Sequence, residues 1–298
     1  MSHAEEPRKR SQVPVLSRRT LLSGLGFAAL LPNLSALAQE PASPGATTGN
    51  EPQAVSQLPL KSTGLEHMGT VVPDVTAAGK FYGRLFDPEL YKEKDPPLRY
   101  YVRLGIGYLA LGSRANQPHA FFDHFCALVQ DYDAHAMAEQ LKGEGLPAGR
   151  YGIIPDPDGI GFQLLAAPGG LAKTTESAGR IVDGEALVRP RRLAQVVLHV
   201  ADLDRSLQFY RRFFGAESQP RRHGDSHFFQ IADTRLVLEA GASAEPARVE
   251  RIVINVEPFD PKAVTRELTK LGAHVTSHSK QGLRFTDPFG LQMELRPV

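Results

Sequence analysis

Two stretches of this chain, 128 residues apart, are built on one pattern. The first runs Leu65-Glu66-His67-Met68-Gly69-Thr70-Val71-Val72-Pro73-Asp74 and goes on to Phe81-Tyr82. The second runs Leu193-Ala194-Gln195-Val196-Val197-Leu198-His199-Val200-Ala201-Asp202 and goes on to Phe209-Tyr210. In each, a β-rich run stops at an aspartate, and an amphipathic stretch carrying Phe-Tyr follows. The aspartate reads as a helix N-cap, since its carboxylate accepts from amides that the first helical turn leaves without partners. The two stretches also close alike, on Asp156-Pro157-Asp158-Gly159 with Gln163-Leu164 and on Asp287-Pro288-Phe289-Gly290 with Glu294-Leu295. D-P-x-G reads as a turn leading into a strand. Copies of roughly 105 residues are too long for solenoid units and are domains.

Each copy divides again. Residues 65–113 read as strand, helix and further strands over 98–104 and 106–111. Residues 123–166 repeat this, with a strand over 124–129, a helix over 134–143 and strands near 151–154 and 160–166. The second copy follows suit, with a strand over 251–256 and a helix over 261–271. The chain is thus α+β, with four βαβββ modules. One such module cannot bury both faces of its sheet. Paired modules curl into a half-open barrel with the helices outside and a concave cup within.

The flanks are different in kind. Residues 1–38 carry Arg8, Lys9, Arg10, Arg18 and Arg19, then an apolar run to about Leu31, then Ala36-Leu37-Ala38. The run is too short to span a bilayer, and the small residues read as a cleavage site. Arg18-Arg19 with Leu21-Leu22 resembles a bacterial twin-arginine export signal, so a periplasmic or secreted protein is expected. Residues 39–61 read as a Pro/Ser/Ala-rich tether and residues 169–189 as a linker between domains 62–168 and 190–298. A net charge of +1 argues against a nucleic-acid partner, and no segment argues for integral membrane association. The single cysteine, Cys126, excludes an internal disulfide and a cysteine-based zinc cluster.

The opening H/Q-x-x-x-x-V-x-D…FY, the V-x-x-[FY]-D run starting the helix of each second half, and the ending D-P-x-G-x-x-x-E/Q-L resemble the vicinal oxygen chelate superfamily. Glyoxalases, bleomycin and fosfomycin resistance proteins and extradiol dioxygenases belong to it. The resemblance covers about residues 62–168 and 190–298. It implies tandem domains of the half-open-barrel type and a divalent metal in the cup. The implied ligands lie seven residues before Asp74 and Asp131 and seven after the D-P-x-G aspartate Asp156, at His67, His124 and Gln163. Two imidazoles and one amide oxygen suit Fe²⁺, Co²⁺, Ni²⁺ or Zn²⁺ and leave positions open for substrate oxygens. Because Gln163 is neutral, such a site is expected to keep its full +2 charge. Cys126, two residues past His124, reads either as a small apolar lining residue or as a soft ligand.

The same positions in the second copy hold Gln195, Arg251 and Glu294. Arginine cannot ligate a metal, so Arg251 is expected to pair with Glu294 and the second copy to have lost its metal. A Gln195/Glu239/Glu294 site is the alternative. His199 reads as a polar residue of an exposed strand face. No catalytic residue follows from the sequence. Three functions stay open: a metal-dependent dioxygenase, lyase or isomerase acting on a small oxygenated molecule in the first cup, a non-enzymatic small-molecule binding or resistance protein, or a structural or interaction module with both cups vestigial.

Overall fold

Alternation of apolar residues with a period of two sorts each strand between a core face and a second face. In the computed structural model, which describes residues 56–146, 152–218, 226–241 and 245–298, this pattern organises two sheets. The expected export signal and residues 39–55 of the tether lie outside the described residues.

The first domain contains β1 (Ser62–Val71), α1 (Val75–Leu85), β2 (Glu89–Glu93), β3 (Tyr100–Leu104) and β4 (Gly107–Gly112). Its second half contains β5 (Phe121–Val129), α2 (Ala134–Gly143), β6 (Ile153–Pro155) and β7 (Gly161–Ala166). A further strand, β8 (Thr175–Arg180), comes from the segment expected to be a plain linker. It pairs antiparallel with β2 and extends the sheet to the order β6-β7-β5-β1-β4-β3-β2-β8.

The second domain contains β9 (Arg189–Val200), α3 (Leu203–Phe214), β10 (His227–Ile231) and β11 (Thr234–Ala240). It continues with β12 (Arg248–Glu257), α4 (Pro261–Lys270), β13 (His274–Ser279), β14 (Gly282–Thr286) and β15 (Gln292–Pro297). Its sheet runs β10-β11-β9-β12-β15-β14-β13. In both domains the central pair is antiparallel (β1 with β5, β9 with β12), and each central strand has a parallel neighbour from its own module. This is the tandem arrangement of paired-module domains that the resemblance implied. The four helices among the described residues start at an aspartate whose carboxylate accepts from first-turn amides: Asp74, Asp133, Asp202 and Asp260.

The core faces of both sheets and the helices form one apolar cluster. Phe162 of β7 packs 4.8 Å from Phe213 of α3, and Phe81 of α1 packs 6.4 Å from Phe289 beside β15. Each domain's first helix therefore lies against the other domain's second half. The two sequence motifs meet at this seam. Tyr82 donates to Asp287 at 2.5 Å, and Tyr210 donates to Asp156 at 2.9 Å. The other oxygen of each aspartate holds its own turn, accepting from Asp158 and Ile160 amides in one domain and from Phe289 and Leu291 in the other. Away from the shared core, the cup faces carry small clusters of their own: Tyr101, Tyr108 and Ala110 in the first domain, Val197, Val237 and Val253 in the second.

Candidate metal centre in the first domain

Two β-bulges shape the first cup. Leu65 pairs with Ala127 and Met68 with Phe125, so β1 spends one extra residue there, and Glu66 and His67 together stand opposite Cys126. Two residues further on the excess lies on β5. Gly69 pairs with His124 and Thr70 with Phe122, so Asp123 is the extra residue beside His124. Regular alternation would send Glu66 and Asp123 to the opposite faces from their histidines. The bulges bring each acid to its neighbour's ring instead.

The result is a pair of carboxylate–imidazole units facing one another. Glu66 Oε2 lies 2.9 Å from His67 Nδ1, and Asp123 Oδ2 lies 2.9 Å from His124 Nδ1. The free nitrogens converge, with Nε2 to Nε2 at 3.3 Å and the rings nearly perpendicular at 88°. Gln163 of β7 hydrogen-bonds the His67 ring, so the three expected ligands do meet in one place. Tyr108 stacks flat on His67 at 4.7 Å and walls the site. Space for the His124 ring comes from Gly69, where a Cβ would stand 2.2 Å from the imidazole.

Burial dominates the electrostatics. His67 is 4% exposed, and desolvation lowers its pKa; Glu66 opposes this and the neighbouring His124 adds to it. Asp123 is held below the usual carboxylate range, first by the His124 hydrogen bond and then by the charges of His124 and Arg114. Burial pushes the Cys126 thiol well up, and the Glu66 charge reinforces it. With both Nδ1 atoms donating to carboxylates, each Nε2 presents a lone pair to the other. That arrangement is repulsive unless a proton or a cation stands between them. Two metal–nitrogen bonds of about 2.0–2.1 Å at a tetrahedral angle span roughly 3.4 Å, so the pair fits one divalent ion.

Glu66 was not anticipated. It is 1% exposed and places a buried carboxylate beside a site expected to have none. Glu66, His67 and Cys126 also place one donor atom each within 4.8 Å of one another, which gives Cys126 a setting as a ligand as well as a lining residue.

The second cup has the same framework with other side chains. Arg251 pairs in register with Val197 as His124 does with Gly69, and Val253 with Gln195. Arg251 makes a two-pronged contact with Glu239, at 2.8 and 3.1 Å, and lies only 3.7 Å from Glu294. The expected Arg251–Glu294 pair is thus secondary to one with Glu239. Glu294 is taken instead by Arg284 at 2.8 Å and Arg296 at 2.5 Å. Both carboxylates of the alternative Gln195/Glu239/Glu294 site are therefore neutralised by fixed guanidinium groups. Val197 also fills the space that Gly69 leaves open in the first domain. His199 departs from its expected exposed setting: its side chain is 12% exposed and its ring lies over the Gly241 backbone.

Comparison with known proteins agrees with the architecture. Residues 195–296 match the family described as a glyoxalase-like domain. The match falls on the domain whose cup has lost its imidazoles, so it reports fold rather than chemistry. Over 189 residues the chain is 26% identical to a protein described as a probable chloroplastic lactoylglutathione lyase of Arabidopsis thaliana, covering 56% of this chain and 48% of that one. The chain thus spans about half the length of that curated relative. A crystal structure of catechol 2,3-dioxygenase superposes with TM-score 0.59 at 16% identity, over 80% of this chain and 89% of the other. A Mn(II)-bound glyoxalase from Novosphingobium aromaticivorans does so with TM-score 0.58 at 15% identity, over 80% and 83%. At such identities the likeness establishes the tandem fold.

Proposed function

We propose that this chain is a metal-dependent enzyme whose first cup acts on a small oxygenated molecule. The reading rests on the two Nε2 atoms 3.3 Å apart, each imaged by a carboxylate on its own Nδ1. His67, His124 and Gln163 would hold the ion, and Fe²⁺, Co²⁺, Ni²⁺ or Zn²⁺ suit such donors better than Mg²⁺ or Ca²⁺. When bound, the ion would polarise oxygens of the substrate. The chain's own part is to orient both imidazoles through their carboxylates and to wall the site with Tyr108. The solved relatives that share this fold, a dioxygenase and a glyoxalase, support the choice of an oxygenated small molecule. A binding or resistance protein is the competing reading.

Calorimetric titration of metal-free protein with Co²⁺, Zn²⁺ and Fe²⁺ tests the proposal. One equivalent should bind to wild type, and His67→Ala and His124→Ala should each abolish uptake. No uptake by wild type moves the binding-protein reading to first place. A second ligand set, Glu66, His67 and Cys126, is favoured by one donor atom of each lying within 4.8 Å of the others. It differs from the first in that Glu66 would ligate the ion itself instead of accepting from His67 Nδ1. An intense thiolate-to-cobalt band in the near ultraviolet would establish it.

We further infer export by the twin-arginine route, on the strength of Arg18-Arg19 and Ala36-Leu37-Ala38. Replacing both arginines by lysine should hold the precursor in the cytoplasm. Unchanged fractionation would point to the general secretory route.

A further inference from the structure

Glu66 is a buried carboxylate whose contacts reach outside its own sheet. Oε2 meets the His67 ring at 2.9 Å, and Oε1 accepts from the backbone amide of Gly170. Gly169 leans on the same oxygen: a Cβ there would stand 2.1 Å from it, and the residue is left-handed at φ +75°. Gly169 and Gly170 belong to neither central sheet half. They start the segment that joins the two domains, and that segment is anchored over the first cup. Lys94 donates from its amide to Thr174 at 2.9 Å and from Nζ to Lys173 at 2.7 Å. Leu171 packs against the Tyr101–Tyr108 cluster.

A carboxylate this deep needs donors in place of its lost water. Here one donor is an imidazole and the other is the connector's backbone. We propose that Glu66 is the positioning residue of His67, and that the interdomain connector, through Gly169-Gly170, is a working part of the metal centre. Glu66 fixes the Nδ1–H tautomer of His67 and so directs the Nε2 lone pair into the cup. The connector fixes Glu66. With Asp123 doing the same for His124, each imidazole has one carboxylate behind it. The two negative charges balance a divalent ion although Gln163 is neutral. This inference rests on the metal reading above.

Cobalt affinity and ring tautomer test it together, on the full chain. Glu66→Gln keeps the shape and removes the charge. Gly169→Ala drives a methyl group into Oε1. Gly179→Ala is the control, because Gly179 lies on the same connector at φ +71° with nothing within 4 Å of its Cβ position. The first two variants should bind Co²⁺ about 10–100-fold more weakly, the range for loss of a group that orients a ligand. Gly179→Ala should bind as wild type does. Imidazole ¹⁵N spectra of metal-free wild type should show His67 as a single Nδ1–H tautomer. That tautomer should be lost in Glu66→Gln, whose amide can donate as well as accept, and in Gly169→Ala. Undiminished Co²⁺ affinity in Glu66→Gln or Gly169→Ala, or an equal loss in Gly179→Ala, overturns the proposal. So does a thiolate band, which would make Glu66 a ligand beside Cys126. If wild type takes up no Co²⁺, the metal reading fails by itself. The tautomer spectra then decide the role of Glu66 and the connector: loss in both variants upholds it, and no change overturns it.

Discussion

Gly69 shows how much of this site depends on what a residue lacks. It stands directly across the strand pair from His124, and the imidazole lies where a side chain would otherwise be. The register-matched residue in the second domain is Val197, opposite Arg251. Gly69→Ala should therefore push the His124 ring outward, toward the solvent it already touches at 16% side-chain exposure. The expected outcome is loss of Co²⁺ affinity by at least about tenfold, the scale for a misplaced ligand, with the melting temperature almost unchanged. Calorimetry beside a thermal melt checks this, and unchanged affinity would show that the ring has room elsewhere.

At the scale of the elements, the bulges of β1 and β5 are the devices that build the centre. They turn two adjacent acid–histidine pairs from opposite-facing neighbours into hydrogen-bonded units. The equivalent stretch of β12 holds Glu250-Arg251, and there a guanidinium takes the place of both imidazole and ion. Arg251 answers Glu239 on β11 and stands near Glu294 on β15, tying three strands of the second cup. Burial raises the Glu239 pKa, and the Arg251 hydrogen bonds outweigh it, holding the carboxylate low. Removing one member of a fully buried pair costs about 3–5 kcal/mol. Arg251→Ala should cost less, about 2 kcal/mol, because Glu294 keeps two other arginines and Glu239 is one-third exposed. Urea unfolding measures it. A loss below about 0.5 kcal/mol, typical of surface pairs, would mean that the second cup stands without this ion pair.

For the whole molecule, the reciprocal Tyr82–Asp287 and Tyr210–Asp156 contacts make the two domains one folding unit. Each aspartate is buried, and burial raises its pKa against the pull of its tyrosine and backbone donors. Deleting one tyrosine hydroxyl leaves a buried carboxylate oxygen short of a donor. Tyr82→Phe and Tyr210→Phe should each cost about 1–3 kcal/mol. Unfolding should remain a single transition in both, because the apolar cluster between the domains is continuous. Two resolved transitions in either variant would contradict that coupling. On this view the second domain, with its cup filled by arginines and valines, buttresses the first.

The duplication, its division into modules and the capping aspartates were legible along the chain, whereas His67, His124 and Gln163 were implied by the superfamily resemblance. The former follow from local rules, period-two alternation and N-cap chemistry, while the ligand positions rest on an offset that the resemblance supplied. Tertiary structure alone decided the rest. Strand alternation places Glu66 away from His67, and only the pairing of β1 with β5 reveals the extra residue that reverses this. The partner of Arg251 was settled by which carboxylate the folded strands bring to both prongs of its guanidinium. The Phe-Tyr and D-P-x-G motifs were legible as motifs, but their contacts span 205 and 54 residues and cross between domains. Gly169 and Gly170 looked like linker for the same reason. Their contact with Glu66 joins residues more than a hundred positions apart, and packing of distant segments, unlike helix capping or alternation, leaves no periodic mark on the chain.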